Sequence, residues 1–273
     1  MRFEILTIFP NFFSSFFENG ILRRALAEEL VEVGVHDLRT FTHDRHRTVD
    51  DRPFGGGEGM VLKPQPIADA LSSLNINPKA QRAESPAAQT QVILMSAQGR
   101  PFTQSLAREI ASLDRVVLIC GRYEGVDERI NQLYCDMELS IGDYVLSGGE
   151  LAAAVVIDAA MRLLPGVLGN EASSEFESFG IADAEISTEV EGVPRSQHGA
   201  GGLLDYPHYT RPSEFAGLKV PDPLLNGDHQ AIRRWRREQQ LRKTQANRPD
   251  LLDQAKRAGA LSRKDLEFLE QLR

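Results

Sequence analysis

Hydrophobic residues between the N-terminus and Leu164 follow two alternating periodicities. Apolar runs rich in β-branched and aromatic residues predict five strands: Phe3–Phe9, Val31–Leu38, Gln91–Ser96, Arg115–Cys120 and Asp136–Ile141. Apolar positions spaced three and four apart predict five helices: Ile21–Leu30, Pro64–Leu74, Thr103–Leu113, Asp127–Tyr134 and Glu150–Leu164. Strands that alternate with helices in this way predict an α/β fold with a mainly parallel sheet.

The polar stretches outside these elements predict loops and a separate C-terminal region. Thr42–Met60 is polar and glycine-rich, which predicts a long loop, and Asn75–Thr90 predicts a surface linker. Gly166–Gly227 has no long periodic element, and we expect its middle, Gly180–Gly202, to be a mobile interdomain segment. Helical spacing then predicts three helices: Asp228–Asn247, Pro249–Gly259 and Ser262–Leu272. The second domain is therefore predicted to be small and all-helical.

Composition is typical of a soluble globular protein. Hydrophobic residues make up 41% and charged residues 26% of the 273 residues. No segment approaches the roughly 18 uncharged apolar residues that a membrane span needs. Cys120 and Cys135 are the only cysteines, and they lack metal-ligand spacing. We therefore expect a cytoplasmic protein with reduced thiols and no membrane partner.

The distribution of charge favours a nucleic-acid partner, although the net charge is −8. From Asp228 to Arg273 there are 12 Lys and Arg against 7 Asp and Glu, whereas Pro165–Gly227 carries 3 against 10. A chain that is acidic overall can still present a basic face that neutralises phosphates. Basic contacts are therefore expected on the C-terminal helices.

Three glycine-rich segments follow predicted strands: Leu94–Gly99, Cys120–Gly125 and Ser140–Gly149. Ligands of open parallel sheets lie beyond the carboxyl ends of the strands, and glycine lets the backbone approach them closely. The chain has no P-loop motif and no G-x-G-x-x-G after a strand, which disfavours a P-loop NTPase and a nicotinamide enzyme. The three segments therefore predict one pocket built from loops, although each alone could be an ordinary tight turn.

Three blocks of sequence match one protein family almost without gaps. They are LICGRYEGVDER at Leu118–Arg129, SIGDYVLSGGE at Ser140–Glu150 and FTHDRHRTVDDRPFGGGEGM at Phe41–Met60. Together with ILTIFP at Ile5–Pro10 and IRRWR at Ile232–Arg236, they extend over nearly the whole chain. In these blocks the chain resembles the bacterial TrmD family, the tRNA (guanine-N1)-methyltransferases of the knotted SPOUT class.

This resemblance implies more than the pattern of elements does. General folding rules favour an unknotted doubly wound sheet, whereas the family implies a deep trefoil knot and a homodimer that holds S-adenosylmethionine at its interface. The implied activity is methyl transfer to N1 of guanosine 37 in tRNA. The implied domains are a knotted cofactor-binding domain (1–168), a linker or lid (169–202) and a helical tRNA-binding domain (203–273). Two alternatives stay open: an RNA-binding protein without activity, and an enzyme acting on ribose 2′-OH or ribosomal RNA.

The resemblance assigns the cofactor to the three glycine-rich segments. The residues expected to enclose S-adenosylmethionine are Leu94, Met95, Ser96, Gly121, Tyr123, Glu124, Gly125, Ser140, Ile141, Gly142, Tyr144, Leu146, Gly148 and Gly149. Ala97 departs from the family, which has proline there, and this change is expected to loosen the segment slightly.

The tRNA is assigned to two regions by the same resemblance. In His43–Met60 the expected contacts are His46, Arg52, Gly57 and Gly59, although a mixed-charge loop is ordinarily only solvated. In the C-terminal region they are His208, Arg211, Arg233 and Arg236. The alternative for the helix IRRWRREQQLRK is a solvated amphipathic helix with Trp235 in the core.

Two residues are expected to be catalytic. The resemblance implies that Arg162 steadies negative charge on guanine O6, although an Arg at the end of a helix could simply cap its carbonyls. Counting from Arg162, the general base of the family falls on Glu177, where the family has Asp, with Glu175 as a weaker candidate. The family activity depends on Mg²⁺, for which Glu124 and Glu177 are the expected oxygen donors.

Overall fold

The computed structural model describes residues 1–82, 89–169, 176–180 and 199–272. The chain divides into two compact units, Met1–Gly169 and Asn170–Arg273. Most of the predicted mobile segment Gly180–Gly202 lies outside the described residues. Within the described part of the chain, no helix is long and apolar enough to cross a membrane.

The first unit is built on a five-stranded parallel sheet in the order β2-β1-β6-β5-β7. Its strands are β1 (Arg2–Thr7), β2 (Glu32–Asp37), β5 (Thr90–Pro101), β6 (Arg115–Cys120) and β7 (Met137–Ser140). Two short strands, β3 (Asp50–Asp51) and β4 (Val61–Leu62), form a separate antiparallel pair. The prediction of an α/β fold with a mainly parallel sheet is therefore confirmed.

Helices cover both faces of this sheet. They are α1 (Ser14–Phe17), α2 (Gly20–Ala27), α3 (Pro64–Ser73), α4 (Gln104–Ala111), α5 (Glu128–Tyr134) and α6 (Glu150–Met161). On one face the core joins Leu118 of β6 to residues of α2, α4 and α6, and on the other face it joins Val117 to residues of α3 and α5. This alternation follows from the two-residue period of a strand, and it explains why β6 reads as a continuous apolar run.

Two sequence predictions in this unit need correction. Leu94–Gly99 is not a loop after a strand, because β5 continues through it to Pro101. Met95 and Arg100 both pair with Leu139, so residues 96–99 leave the ladder as a bulge and the strand then resumes. Thr42–Met60 is not purely a loop either, since Asp50–Asp51 pairs with Val61–Leu62.

The second unit contains the helices α7 (His229–Asn247), α8 (Pro249–Arg257) and α9 (Arg263–Gln271). Asp228 accepts hydrogen bonds from the first turn of α7, and Ser262 and Asp265 form a capping box at α9. The unit also has a hairpin of β8 (Glu214–Phe215) and β9 (Leu218–Lys219), so the prediction that this region is all-helical is wrong. The sequence EFAGLK is too short for its alternation to be recognised.

Candidate functional site

A cavity of about 390 Å³ lies where β6 and β7 end and at the bulge of β5. All fourteen residues that the sequence predicts for the cofactor line it, from the segments 94–96, 121–125 and 140–149. The lining also includes Arg122, Glu128, Glu138 and Ser147, which the sequence argument did not select. We call this the sheet-edge cavity. The structure therefore brings together the three segments that the sequence predicted to converge.

Five of the residues that line the sheet-edge cavity are glycines. Gly125 and Gly142 have φ angles of 126° and 151°, a region that favours glycine. The amide of Gly149 donates a 2.9 Å hydrogen bond to the carbonyl of Gly121 and so joins two of the cavity segments. A Cβ atom on Gly149 would lie 2.8 Å from the Cα of Cys120, so a side chain cannot fit there without backbone movement. The glycines therefore allow the segments to pack against one another.

The buried carboxylate of Glu150 holds two of the cavity segments in place. Glu150 is 1% exposed; its Oε1 accepts a 2.7 Å hydrogen bond from Thr7, and its Oε2 accepts one of 2.9 Å from Nε of Arg122. Arg122 also donates to the carbonyl of Ser147 at 3.0 Å, and its guanidinium lies 4.6 Å from the ring centroid of Phe9. This network joins the start of α6 to β1 and to two of the cavity segments.

Sequence reasoning missed Arg122 and Glu150 as positioning residues. Both lie inside the blocks that carry the family resemblance, but neither is glycine, and nothing in the spacing indicated that they pair. The available signal was an acidic residue at the start of an otherwise apolar helix. Such a residue is favoured by the helix dipole and needs a partner once it is buried.

The titratable groups near the cavity are perturbed mainly by burial. Burial raises the pKa of Cys120 well above its ordinary value, so this thiol stays protonated and is not a nucleophile at neutral pH. Burial, followed by the negative charge of Asp50, also raises the pKa of Tyr123, which keeps this phenol neutral. The cavity therefore offers hydrogen-bonding groups and no activated nucleophile of its own at these two positions.

The predicted target-binding segment His43–Met60 is attached to the sheet-edge cavity. The amide of Glu124 donates to the carbonyl of Met60 at 3.0 Å, and the amide of Leu62 donates to Gly125 at 2.9 Å. The four predicted contacts in this segment, His46, Arg52, Gly57 and Gly59, are all exposed. The segment thus presents exposed basic and glycine residues beside the cavity.

Arg162 does not line the sheet-edge cavity. It is the C-cap residue of α6, whereas Gly149 at the other end of the same helix does line the cavity. The thirteen-residue separation corresponds to roughly 20 Å at 1.5 Å per helical residue. A single chain therefore does not bring this predicted catalytic residue to the cavity.

Glu177 lies in the second unit, in the described segment 176–180, and Glu175 lies outside the described residues. The neighbours of Glu177 are anchored: the amide of Phe179 donates to the carbonyl of Leu203 at 2.8 Å, and Ser178 accepts the amide of Asp205 at 2.9 Å. The carboxylate therefore projects from a backbone that is fixed within its own unit.

The described residues do not form a metal site. Nowhere among them do three or more His, Cys, Asp or Glu side chains cluster in a way that could hold an ion. Glu124 and Glu177, the expected magnesium ligands, belong to different units. The described residues therefore lend no support to the predicted metal.

The predicted tRNA contacts of the second unit divide into two groups. His208, Arg211 and Arg236 line a second cavity of about 350 Å³, whereas Arg233 does not. Arg237, which belongs to the basic run on α7, makes hydrogen bonds of 3.0 Å to both carboxylate oxygens of Asp265. Arg237 therefore ties α7 to α9 within the unit.

Comparison with known proteins places this chain in a family. The family model for the tRNA (guanine-1)-methyltransferase TrmD matches residues 1–254. A tRNA (guanine-N(1)-)-methyltransferase of Koribacter versatilis is 54% identical over 273 residues, which is 100% of this chain and 98% of the relative. Relatives with the same name from Dictyoglomus turgidum and Geobacillus kaustophilus are 46% and 48% identical, over 100% and 93% of this chain and 97% and 92% of their own lengths. The chain therefore belongs to the TrmD family of tRNA (guanine-1)-methyltransferases.

Proposed function

We propose that this chain transfers a methyl group from S-adenosylmethionine to N1 of guanosine in tRNA, at position 37, beside the anticodon. The observation that carries the proposal is the convergence of the fourteen predicted cofactor residues on one sheet-edge cavity. Family membership supplies the reaction class. The proposed substrate places the reaction in the cytoplasm, where tRNA is used.

The cavity suits the proposed cofactor in size and in chemistry. A volume of about 390 Å³ lies within the usual range for small-molecule sites. Main-chain amides and carbonyls from three glycine-containing segments can meet the polar edges of an adenine, a ribose and an amino acid. When bound, S-adenosylmethionine supplies an electrophilic methyl group, and the residues of the chain hold it in place and exclude water.

The remaining chemistry concerns the guanine. Its N1 carries a proton at neutral pH and is a poor nucleophile until that proton leaves. We propose that the Glu177 carboxylate takes the proton, and that the Arg162 guanidinium stabilises the charge that develops on O6. The support is that both residues lie within residues 1–254, which the family model matches, together with the anchored backbone after Glu177.

We further propose that the enzyme is a homodimer in which one subunit supplies Arg162 to the cavity of the other. The separation of roughly 20 Å between Arg162 and the cavity along α6 supports this arrangement. Leu151 and Val155, one turn apart on α6, are 52% and 45% exposed and offer an apolar contact surface. The trefoil knot belongs to the same proposal, and membership of the TrmD family supports it.

Methyl incorporation into an unmodified tRNA transcript tests the proposed reaction. Labelled tRNA is digested to nucleosides, and we expect the label in N1-methylguanosine. A transcript with guanosine 37 replaced should accept no methyl group. Label in a 2′-O-methylated nucleoside, or an absence of label despite tight tRNA binding, would overturn the proposal in favour of one of its alternatives.

Mixing two inactive variants tests the shared site. Arg162→Ala and a cofactor-cavity variant, Gly149→Val, are each expected to be inactive as homodimers. If Arg162 acts across the dimer, each mixed dimer regains one complete site, and random mixing restores about a quarter of the wild-type turnover. An inactive mixture, with mixed dimers shown by sedimentation or native mass spectrometry, would contradict the arrangement.

A further inference from the structure

The cavity of the second unit is the strongest feature that the proposed reaction does not use. It has a volume of about 350 Å³ and is enclosed by residues 206–213, by Val220 with Leu224 and Leu225, and by one side of α7. Tyr206, Tyr209 and Trp235 contribute their rings to it. We call it the aromatic cavity. It lies wholly within the second unit.

The rings of Tyr209 and Trp235 form an aromatic corner. Their centroids are 6.1 Å apart and their planes are inclined by 59°. Tyr209 is 49% exposed, so part of its ring surface is accessible. The corner can receive a flat ring that stacks on one side chain and meets the edge of the other, which is the arrangement that aromatic quadrupoles favour.

Two arginines and a histidine line this cavity, and among the described residues no carboxylate does. The described lining residues that carry a charge or titrate are His208, Arg211, Arg236 and the two tyrosines. The Arg236 guanidinium lies 4.8 Å from the ring centroid of Tyr206, and His208 hydrogen-bonds to Asp205 at 3.0 Å. In a chain with a net charge of −8, such a cavity suits a ligand that is flat and attached to negative charge.

The aromatic residues are also concentrated there to an unusual degree. The chain has one Trp and five Tyr, and three of these six residues line this cavity. Tyr206 is buried and Trp235 is half-buried, whereas Tyr209 is 49% exposed and leaves part of its ring open to a ligand. Trp235 does not belong to the core cluster described for this unit.

We infer that the aromatic cavity binds one unpaired nucleobase of the tRNA, other than the target guanine, with Arg211 and Arg236 near its phosphates. The inference rests on the proposed function, because it takes tRNA as the partner. Unpaired bases of RNA are recognised by stacking on aromatic side chains and on guanidinium planes. The corner of Tyr209 and Trp235, enclosed by cations, has the chemistry of such a site.

Binding of tRNA by the full-length protein tests the inference without requiring activity. Trp235→Ala should weaken tRNA affinity roughly 5- to 150-fold, the range for loss of one base–aromatic stack. The slope of affinity against salt should not change, because stacking releases no counterions. Trp235→Phe should restore most of the affinity. Phe215→Ala is the matched control, since Phe215 is 73% exposed in the same unit and lies outside the cavity.

An abasic scan of the tRNA loops makes the test independent of the stability of the variants. With the wild-type protein, one abasic site away from position 37 should weaken binding by the same factor. The same abasic site should not lower the tRNA affinity of Trp235→Ala any further. Unchanged affinity in Trp235→Ala, or the lack of any such abasic site, would overturn the inference and favour a peptide ligand. If the wild-type protein still methylates tRNA normally, that negative result leaves the proposed function intact. Tight tRNA binding without methylation would instead contradict the proposed function and leave the inference about the cavity standing.

Discussion

The two cavities of this protein are built in different ways. The sheet-edge cavity has five glycines among its lining residues, and close contacts between main-chain segments, such as the hydrogen bond from Gly149 to Gly121, help to set its shape. The aromatic cavity has no glycine in its lining and is formed by side chains on one helix and an extended segment. A glycine at a close backbone contact, such as Gly149, tolerates few substitutions, because an added Cβ would lie too near the neighbouring main chain. A cavity made of side chains should instead lose function in steps as each ring is removed.

The two units also use their buried ion pairs for different purposes. In the first unit, the Arg122–Glu150 pair holds the start of α6 directly behind the sheet-edge cavity. In the second unit, the Arg237–Asp265 pair joins α7 to α9, and neither residue lines the aromatic cavity. One buried ion pair therefore positions a candidate site, whereas the other holds the unit together. Substitutions can separate these two roles.

The largest effect is expected at Glu177. Glu177→Gln keeps the size and polarity of the side chain but cannot accept a proton, and loss of a positioned base should lower turnover about 10²- to 10⁴-fold. Binding of S-adenosylmethionine should stay normal, because the sheet-edge cavity belongs to the first unit. Single-turnover kinetics and calorimetry measure the two quantities. Full activity in this variant, with Glu175→Gln inactive, would move the base to Glu175.

Removing the buried charge in the first unit should affect both stability and cofactor binding. Glu150→Gln leaves the Arg122 guanidinium without its carboxylate, which should lower the free energy of unfolding by about 3–5 kcal/mol. The KM for S-adenosylmethionine should rise, since Arg122 also holds Ser147. Thr7→Val is a graded control that keeps the ion pair and should cost about 1 kcal/mol. A destabilised Glu150→Gln with an unchanged KM would restrict the pair to a structural role.

The corresponding change in the second unit should affect stability alone. Arg237→Ala leaves Asp265 buried and unpaired, so the second unit should lose about 3–5 kcal/mol. Arg234→Ala is its matched partner on the same helix, since Arg234 is exposed: stability should hold, while the slope of log affinity for tRNA against log salt should fall by about one unit. Urea unfolding and a salt titration give the two readouts. A stable Arg237→Ala that binds tRNA weakly would restore this residue to the tRNA-binding surface.

Adding one methyl group at Gly149 tests whether the sheet-edge cavity depends on close packing of the backbone. In Gly149→Ala the added Cβ meets the backbone at Cys120, and overpacking of this kind typically costs about 1–3 kcal/mol. Affinity for S-adenosylmethionine should fall with it. Gly169→Ala is the control, because a Cβ there meets nothing within 4 Å. Equal behaviour of the two variants in calorimetry and thermal unfolding would refute a cavity that depends on close backbone packing.

The smallest effect should appear only in acid. Glu4 is fully buried; burial raises the pKa of its carboxyl, but hydrogen bonds from His36 and Arg115 and the charge of Arg2 outweigh it, and the net pKa is lowered from 4.5. A carboxyl whose pKa is lower in the folded than in the unfolded protein stabilises the fold at pH values above its unfolded pKa. That contribution is lost as the pH falls through its folded pKa. The free energy of unfolding should therefore decline below a pH of about 4.5. In Glu4→Gln this decline should be shallower, and an unchanged slope would show that other groups control acid unfolding.

Much of the fold could be predicted from the sequence, because local patterns carry it. The apolar run of β6 predicted the strand Arg115–Cys120, and the structure has the same bounds. A strand that is covered on both faces is apolar along its length, so its ends are easy to recognise in the sequence. The bulge after Met95 could not be predicted. It depends on β5 pairing twice with Leu139, which is a contact between segments far apart in the chain.

The sequence by itself determined the alternation of strands and helices, the three glycine-rich segments and the family resemblance, because each depends on neighbouring residues. Only the tertiary structure decided that Glu150 pairs with Arg122 and Thr7, that Arg237 is an internal tie, and that Tyr209 and Trp235 share a cavity. It also showed that Arg162 lies at the far end of α6 from the cavity. The physical reason is that burial and long-range pairing, rather than residue type, decide whether a charged or aromatic side chain supports the fold or faces a ligand.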